Sequence, residues 1–415
     1  MQIGIVGLGY VGLPLAVAFA EAGHDVLGVD IDAAKVAALD RNESYVDDIS
    51  SATLEALGGR IVAGTSHAPL RDADAILICV PTPLTANREP DLGPLLDSAR
   101  ALAGVIRSGH LVVVESTTYP GTTREDVRPL LEASGLVAGE DFALAFSPER
   151  IDPGRSDYVM RNTPKVVGGL TDTCRERAVA LYAEVCDTVV EVSTLEAAEL
   201  TKLLENIFRS VNIALVNELA IIADRMGIDI WEVVEAADSK PYGFMRFEPG
   251  PGMGGHCLPV DPFYLAWRAR QFDVPTEFIE LAGTVNQKMP LFCVEKIGRA
   301  LNDHEKSIKG SKVAIIGVSY KGGIGDMRES PAVKIARLLS ERGARLVYHD
   351  EHVPELPEFG LASMALDEAL RDCDCAAIVT AHPGVDVERI VALAPLVVDF
   401  RGATRGIRAD HLVRL

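Results

Sequence analysis

The stretch Gly250-Pro251-Gly252-Met253-Gly254-Gly255-His256-Cys257-Leu258-Pro259-Val260-Asp261-Pro262 sets a thiol directly after four glycines in six residues. Glycine lets a backbone turn tightly and pass close to a bound group. Pro259 suits the first turn of a helix, where a missing N–H costs nothing. Phe263, Tyr264, Leu265, Ala266 and Trp267 carry that helix to about Gln271. Cys257 therefore falls at a helix N-terminus, where unpaired N–H groups favour a thiolate. Asp261 follows one turn later on the same face. A nucleophilic sulfur with a carboxylate beside it suits covalent catalysis. The alternative is a small buried hydrophobe in an ordinary glycine loop, and this stretch by itself leaves both open.

A second constellation opens the chain. Residues 2–7 form a short apolar run, Gly7-Leu8-Gly9-Tyr10-Val11-Gly12 gives G-x-G-x-x-G at its end, and Pro14 to Ala22 continues as a helix. Val26 to Asp30 is then a second strand ending in an acid, eighteen residues past Gly12. This is the dinucleotide fingerprint: Gly7 makes the turn, Gly9 admits the pyrophosphate, and Gly12 packs helix on strand. The helix N-terminus, with Tyr10 and Val11, faces the phosphates. Asp30 holds the adenosine ribose hydroxyls and repels a 2′-phosphate, which favours NAD over NADP. Lys35 either adds to the ribose contact or is a solvated helix lysine.

The elements that position these groups are more β/α units. Ala75 to Val80 is a strand ending in Pro81-Thr82-Pro83, at the carboxyl edge where such sheets bind ligands. Leu111 to Glu115 ends in Ser116-Thr117-Thr118-Tyr119-Pro120-Gly121-Thr122-Thr123. Hydroxyls that dense either cap the next helix or bind a ligand. Phe142 to Phe146 runs into Ser147-Pro148-Glu149-Arg150-Ile151-Asp152-Pro153-Gly154, and Lys165 to Gly169 closes this first domain, over 1–190.

From about Val192 the apolar period changes from two to 3.6 and marks one long helix through about Met226, without internal Gly or Pro. Lys202 and Asn206 lie one turn apart on it. A shorter helix, Asp229 to Ala237, leads through Tyr242-Gly243-Phe244-Met245-Arg246-Phe247 to the Cys257 loop, and residues to about Leu301 are again helical. A helical domain over 191–306 results. In the third block, 307–415, Lys312 to Gly317 repeats the pattern of residues 2–7, and Leu346 to Asp350 again ends in an acid. Its glycines (317, 322, 323 and 325) do not make G-x-G-x-x-G, so this block should bind something other than a second dinucleotide. The fold class is α/β: two Rossmann-like α/β domains joined by a central all-helical domain with one long linking helix.

The formal charge of −20 argues against nucleic acid or an anionic membrane as partner. Seven scattered cysteines and a start that runs straight into a strand suggest reduced thiols and a cytoplasmic protein. No apolar run is expected to span a membrane. Cys373-x-Cys375, with no second Cys/His pair nearby, suggests core packing on one side of a strand rather than a metal site.

Taken together, these motifs resemble the nucleotide-sugar 6-dehydrogenases of the UDP-glucose dehydrogenase superfamily, and the resemblance covers essentially the whole chain. Its carriers are Gly7 to Pro14, Ser116 to Thr123, Ser147-Pro148-Glu149-Arg150, Lys202 with Asn206, the Cys257 loop, and Tyr320-Lys321 through Asp326-x-Arg328-Glu329-Ser330. The resemblance implies oxidation of a UDP-sugar C6 alcohol to the carboxylate with two NAD and no metal. Lys202 and Asp261, with a water, would take the hydroxyl proton. Cys257 would hold the aldehyde as a thiohemiacetal and then as a thioester, and Glu149 with Thr117 would assist its hydrolysis. Asn206 would orient the sugar and the oxyanion.

The cofactor set so implied is Gly7, Gly9, Tyr10, Val11, Gly12, Asp30, Lys35, Pro81, Thr82, Ser116, Thr117 and Arg328. On the substrate side it is Glu149, Arg150, Lys202, Asn206, Tyr242, Phe244, Arg246 (able to come from a partner subunit), Gly250, Gly254, Lys321 and Arg401. A homodimer through the long helix is also implied. Ser-Pro-Glu-Arg and Gly-Gly-His-Cys resemble the branch acting on UDP-N-acetylhexosamines, most like UDP-N-acetylglucosamine 6-dehydrogenase, with UDP-N-acetylmannosamine and UDP-glucose as the alternatives. A catalytically inert NAD- and UDP-sugar-binding scaffold and a two-electron hydroxyacid dehydrogenase are the rival classes. The first is disfavoured by the intact polar set, the second by the loop thiol and the third block.

Overall fold

The computed structural model describes residues 1–46, 48–85, 87–151, 157–255 and 257–415, with the backbone alone at Cys257. It divides into two compact units, Met1–Glu205 with Phe263–Val274, and Asn206–Pro262 with Pro275–Leu415. Asp152, Pro153, Gly154 and His256, quoted among the motifs, lie outside the described residues.

The first unit carries β1 (Gln2–Val6), β2 (Asp25–Val29), β3 (Ile61–Gly64), β4 (Ala75–Ile78), β5 (Leu111–Val114), β6 (Ala143–Phe146), β7 (Lys165–Gly169) and β8 (Val189–Val192). They form one sheet in the order β3-β2-β1-β4-β5-β6-β7-β8. All neighbours are parallel except β6 with β7. The central strands are covered on both faces and so are almost wholly apolar. β8 adds a strand beyond Lys165–Gly169, which the sequence takes as the last. Its half-exposed Val-Val-Glu-Val is an edge pattern that a search for buried runs passes over.

Helices α1 (Gly12–Glu21), α2 (Ala33–Asp40), α3 (Ser51–Ala56), α4 (Gly93–Ala103), α5 (Arg128–Glu132) and α6 (Asp172–Tyr182) complete this unit's α/β framework. α1 buries Leu13, Leu15, Val17 and Phe19 in the sheet's core, each contributing about 2 kcal/mol.

α7 (Leu195–Met226) is the 32-residue helix expected from the change of period. One 18-residue window of α7 has a mean hydropathy of 1.3, so by length and composition it does reach the measure of a membrane span, contrary to the expectation. Its buried Glu199, Lys202, Asn206 and Asn217 all have polar partners within the folded units, which is the construction of a domain helix. α8 (Ile230–Asp238) is capped by the Asp229 carboxylate, which accepts from Trp231 N and Glu232 N. α9 (Cys257–Arg270) and α10 (Glu277–Asp303) follow.

The second unit adds β9 (Lys312–Ile316), β10 (Arg345–His349), β11 (Glu355–Leu356), β12 (Leu361–Ala362), β13 (Cys375–Ile378), β14 (Val397–Asp399) and β15 (Leu412–Arg414). Its main sheet is parallel throughout, in the order β10-β9-β13-β14-β15, and β11 with β12 is a small antiparallel pair. Here α11 (Pro331–Glu341), α12 (Leu366–Leu370) and α13 (Val387–Leu393) supply helices. The later part of α7, α8 and α10 share one core with this sheet, centred on Trp231, Phe292, Ile297, Val313, Ile335 and Phe400. Cys373 and Cys375 are both buried free thiols. They do not share a side, however: Cys375 belongs to that core and Cys373 to the opposite face with Ala314 and Ile378. Only Cys375 lies in the strand, and Cys373 precedes it, just after the turn at Arg371 and Asp372.

Candidate active site

In the first unit the turn after β1 has the shape its glycines demand. Gly7 has φ +90°, and a Cβ there would lie 2.7 Å from the Cys79 carbonyl oxygen. A Cβ on Gly12 would lie 1.8 Å from the Gly7 carbonyl oxygen, so α1 packs where only glycine fits. Gly9 differs: nothing stands within 4 Å of a Cβ there, and the turn opens onto free space. Asp30 is buried, accepting from Leu8 N and Asp32 N at 2.9 Å each. Lys35 Nζ stands 3.4 Å from its carboxylate, so this lysine is paired with the acid rather than freely solvated. Tyr45, which the sequence did not single out, donates to the Leu8 carbonyl at 2.7 Å and pins the same turn. Tyr10 is exposed and Val11 half-buried beside it.

The hydroxyl-rich segment after β5 turns out mostly structural. Ser116 Oγ donates to Val80 O at 2.7 Å. Thr122 Oγ1 donates to Tyr119 O. Thr118 and Thr123 donate to the buried Glu199 carboxylate of α7, which also accepts from Gly121 N and Thr123 N. Burial pushes the Glu199 pKa up to about 7 against these four donors. Thr117 is the half-exposed member, and among the described residues its hydroxyl has no hydrogen-bond partner. Thr82 is buried and Pro81 exposed, and the Tyr264 hydroxyl donates to the carbonyls of Thr82 and Pro83.

Glu149 follows β6. Its Oε1 accepts from Arg150 N at 2.8 Å and Ile151 N at 2.6 Å, while Lys165 Nζ lies 3.3 Å from Oε2. Burial raises its pKa, but Lys165, the two N–H groups and Lys202 outweigh it and hold the carboxyl below the usual range. Lys202 is not a solvated helix lysine: it is buried, and its ammonium donates to the Glu149 carbonyl oxygen. The Arg150 guanidinium, expected on the substrate, is engaged by Glu205 at 2.6 Å and by Pro164 O.

In the second unit Asn206 donates its amide to Asp261 Oδ2, and both side chains are buried. Asp261 lies one turn beyond Cys257 on α9, which begins at Cys257 as the sequence predicts. The side chain of Cys257 lies outside the described residues.

The glycines before it lie close to the chain itself. Cβ atoms would lie 2.9 Å from the Arg401 guanidinium at Gly250, 2.5 Å from the Tyr320 Cβ at Gly254 and 2.9 Å from the Tyr320 ring at Gly255. Two buried amides anchor the loop. Asn217 accepts from Gly250 N and donates to Asn286, whose own amide donates to Ser210 O. Neither has a local sequence signal, since an asparagine on a long helix is usually solvated. Burial lowers the Arg401 pKa, and its Nε donates to Val379 O. Arg328 is exposed and paired with Asp326, Arg246 pairs with Asp238 and Glu248, and Lys321 is half-buried. Tyr242 and Phe244 are exposed.

Three stretches match one family. Residues 1–186 match the NAD binding domain of the UDP-glucose/GDP-mannose dehydrogenase family, 196–288 its central domain and 314–406 its UDP binding domain. The chain belongs to the UDP-glucose/GDP-mannose dehydrogenase family. Within it, the chain is 36% identical over 401 residues to the UDP-N-acetyl-D-mannosamine dehydrogenase of Yersinia pestis, covering 92% of this chain and 93% of that protein. It is 36% identical over 355 residues to the UDP-N-acetyl-D-glucosamine 6-dehydrogenase of Pseudomonas aeruginosa, covering 85% and 83%. Its fold is similar to the structure of the UDP-D-ManNAc dehydrogenase from Pyrococcus horikoshii, with a TM-score of 0.91, 31% identity, and 100% and 99% of the two chains covered.

As a family member the chain is an NAD-dependent oxidoreductase acting on UDP-sugars, in agreement with the sequence reading. The residues present fit NAD. The open face of Gly9 leaves room that a side chain would fill, and the buried Asp30 carboxylate is fixed by backbone donors at the end of β2.

Proposed function

We propose that this dehydrogenase oxidises the C6 alcohol of a UDP-N-acetylhexosamine to the carboxylate, with two NAD per sugar and the aldehyde held on Cys257. The observation that carries the reading is the buried Asn206–Asp261 hydrogen bond, one helical turn from the first residue of α9. A buried acid with its amide partner, one turn along the helix that a cysteine opens, is a costly arrangement that covalent chemistry explains. Bound NAD supplies the hydride acceptor for both oxidations.

Lys202 and Asp261, through a water, take the hydroxyl proton, and the Lys202 ammonium steadies the developing oxyanion. Cys257 adds to the aldehyde carbon, and the resulting thiohemiacetal becomes a thioester at the second oxidation. Glu149 and the hydroxyl of the half-exposed Thr117 order the water that releases the acid. Arg401, a cation drawn out of water, suits the diphosphate or uridine end of the substrate, and the exposed Tyr242 and Phe244 suit its base. Relatives named for both C2 epimers support the N-acetylhexosamine class. The mannosamine names weigh against the glucosamine expectation.

A second copy of the chain is the proposed partner. Leu200, Leu204, Phe208, Leu215, Leu219, Ile222 and Met226 leave an exposed apolar stripe at helical spacing along α7. Leu204→Glu with Leu215→Glu should halve the mass measured by light scattering, and an unchanged mass would remove the dimer. We propose the cytoplasm as its compartment, where thiols such as the free Cys79, Cys174 and Cys186 stay reduced.

The deciding experiment counts NADH per sugar with UDP-N-acetylglucosamine, UDP-N-acetylmannosamine and UDP-glucose. Two NADH per sugar on one of the N-acetylhexosamines supports the reading. One NADH per sugar, or activity on UDP-glucose alone, refutes it. Cys257→Ser should stall after the first oxidation, and full turnover to acid in that variant would remove the covalent step.

A further inference from the structure

Lys165 opens β7 with its side chain 3% exposed, between two carboxylates. Its Nζ lies 2.6 Å from Glu115 Oε2 and 3.3 Å from Glu149 Oε2. It also lies 5.2 Å from the centre of the Tyr182 ring, and the Tyr182 hydroxyl donates to Glu115 Oε1. Glu115, at the end of β5, is sealed completely, whereas the Glu149 side chain is 12% exposed. Burying an ammonium and two carboxylates costs several kcal/mol per ion before their attraction offsets it. A strand needs no such cluster for stability, because an apolar residue of similar volume would pack at lower cost.

We propose that Lys165 is a positioning residue for the acid-forming step: clamped by Glu115 and Tyr182, its ammonium holds the Glu149 carboxylate in place as an anion, with Oε2 left to accept a proton from water. The inference rests on the role proposed for Glu149. The asymmetry of the two distances is the core of it. The ammonium is bound closely to the sealed Glu115 and more loosely to Glu149, so Glu149 is kept charged without being neutralised by a tight ion pair. Oε1 is occupied by two backbone N–H groups, and among the described residues Lys165 is the sole donor to Oε2.

The remaining groups around Glu149 agree. Lys202 on α7 donates to its backbone carbonyl, and the Arg150 guanidinium is turned to Glu205. Burial pushes up the thiols of Cys79 and Cys186 and the Tyr182 phenol, so these stay protonated and neutral. Burial also raises the Glu115 pKa, and Lys165 pulls against it.

In the step itself, the water oxygen bonds to the acyl carbon of the Cys257 thioester and a water proton passes to Glu149 Oε2. The C–S bond breaks, and sulfur leaves as the thiolate. No electrons change hands.

The test uses the full chain with NAD and its UDP-sugar, reading intact-protein mass for the acyl adduct and the rate of acid release from about pH 6 to 8. Glu149→Gln should accumulate the adduct at all pH values. If it does not, the role of Glu149 fails and this inference with it. Lys165→Met should accumulate adduct at the acidic end, its acid release falling about tenfold from pH 8 to pH 6 as Glu149 becomes protonated. The native chain should stay flat over that range, and Lys165→Arg should restore the flat profile. A flat Lys165→Met profile without adduct, alongside a loaded Glu149→Gln enzyme, leaves Lys165 a purely structural ion and overturns the proposal.

Should Lys165→Met not fold, Glu115→Gln, which returns the lysine's charge to Glu149, decides the matter. It should slow acid release at least about threefold at every pH by weakening Glu149 as a base. An unchanged rate overturns the proposal.

Discussion

Gly7-Leu8-Gly9-Tyr10-Val11-Gly12 follows β1 in the first unit, and Gly317-Val318-Ser319-Tyr320-Lys321-Gly322 follows β9 in the second. Both first glycines have positive φ and crowd the carbonyl of the next strand over, Cys79 O and Thr380 O. Both turns face an acid at the end of the neighbouring strand, Asp30 and Asp350. At the third position they part. Gly9 opens onto free space, whereas Ser319 is fully buried, donating to Lys321 O and lying 3.3 Å from His382 Nε2.

Asp350 is correspondingly closed. It accepts from the N–H groups of Val318, Ser319, His352 and Val353 and from His382 Nε2. The His382 tautomer follows from the network, since Nδ1 accepts from Gly323 N. Burial raises the Asp350 pKa, but these donors bring it down to about 2. One framework thus gives an open turn with room for a dinucleotide and a closed turn whose acid is part of the packing. The difference lies in a glycine and a histidine rather than in topology.

The contrast can be broken at its strongest point by Gly12→Val. With a Cβ 1.8 Å from a backbone oxygen, α1 must move off the sheet, costing about 3 kcal/mol or more. Urea unfolding and NAD titration should both show it, and native values in both would mean that the turn is not held as described.

Asp350→Asn should cost about 2 kcal/mol at pH 7. The folded carboxyl titrates below its unfolded value near 3.9, so its stabilisation is complete above about pH 4 and is lost as pH falls toward 2. The variant's stability should therefore fall less than that of the native chain between those values. A parallel fall would remove Asp350 from the acid limb.

Gly9→Ser copies the second turn into the first. It should leave the unfolding midpoint within error and weaken NAD about tenfold, near 1.4 kcal/mol. Unchanged affinity would show that the third position does not separate the two turns. Lys35→Met should have the smallest effect, about twofold in NAD affinity, because its ammonium lies 3.4 Å from Asp30 on a partly exposed side chain.

Much of this molecule was legible locally. Strand, glycine turn, helix and acid follow one another within thirty residues at the N-terminus, and each has a strong backbone or burial preference. α7 announced itself by its period, and α9 by Pro259. The edge strands β8 and β15 were missed because a short, half-exposed run carries little apolar signal.

What the chain's order of residues determined was the inventory: a dinucleotide turn, a thiol at a helix start, and a set of acids, amides and lysines with the right chemistry. Tertiary structure decided which of them are occupied and which are left to act. Nothing local distinguishes Glu199, which holds a loop, from Glu149, whose side chain is 12% exposed beside Lys165, or buried Lys165 from a surface lysine. Those roles arise from contacts between different elements of the fold, such as Lys165 with Glu149 and Thr123 with Glu199, where desolvation and a specific partner set each group's charge and direction.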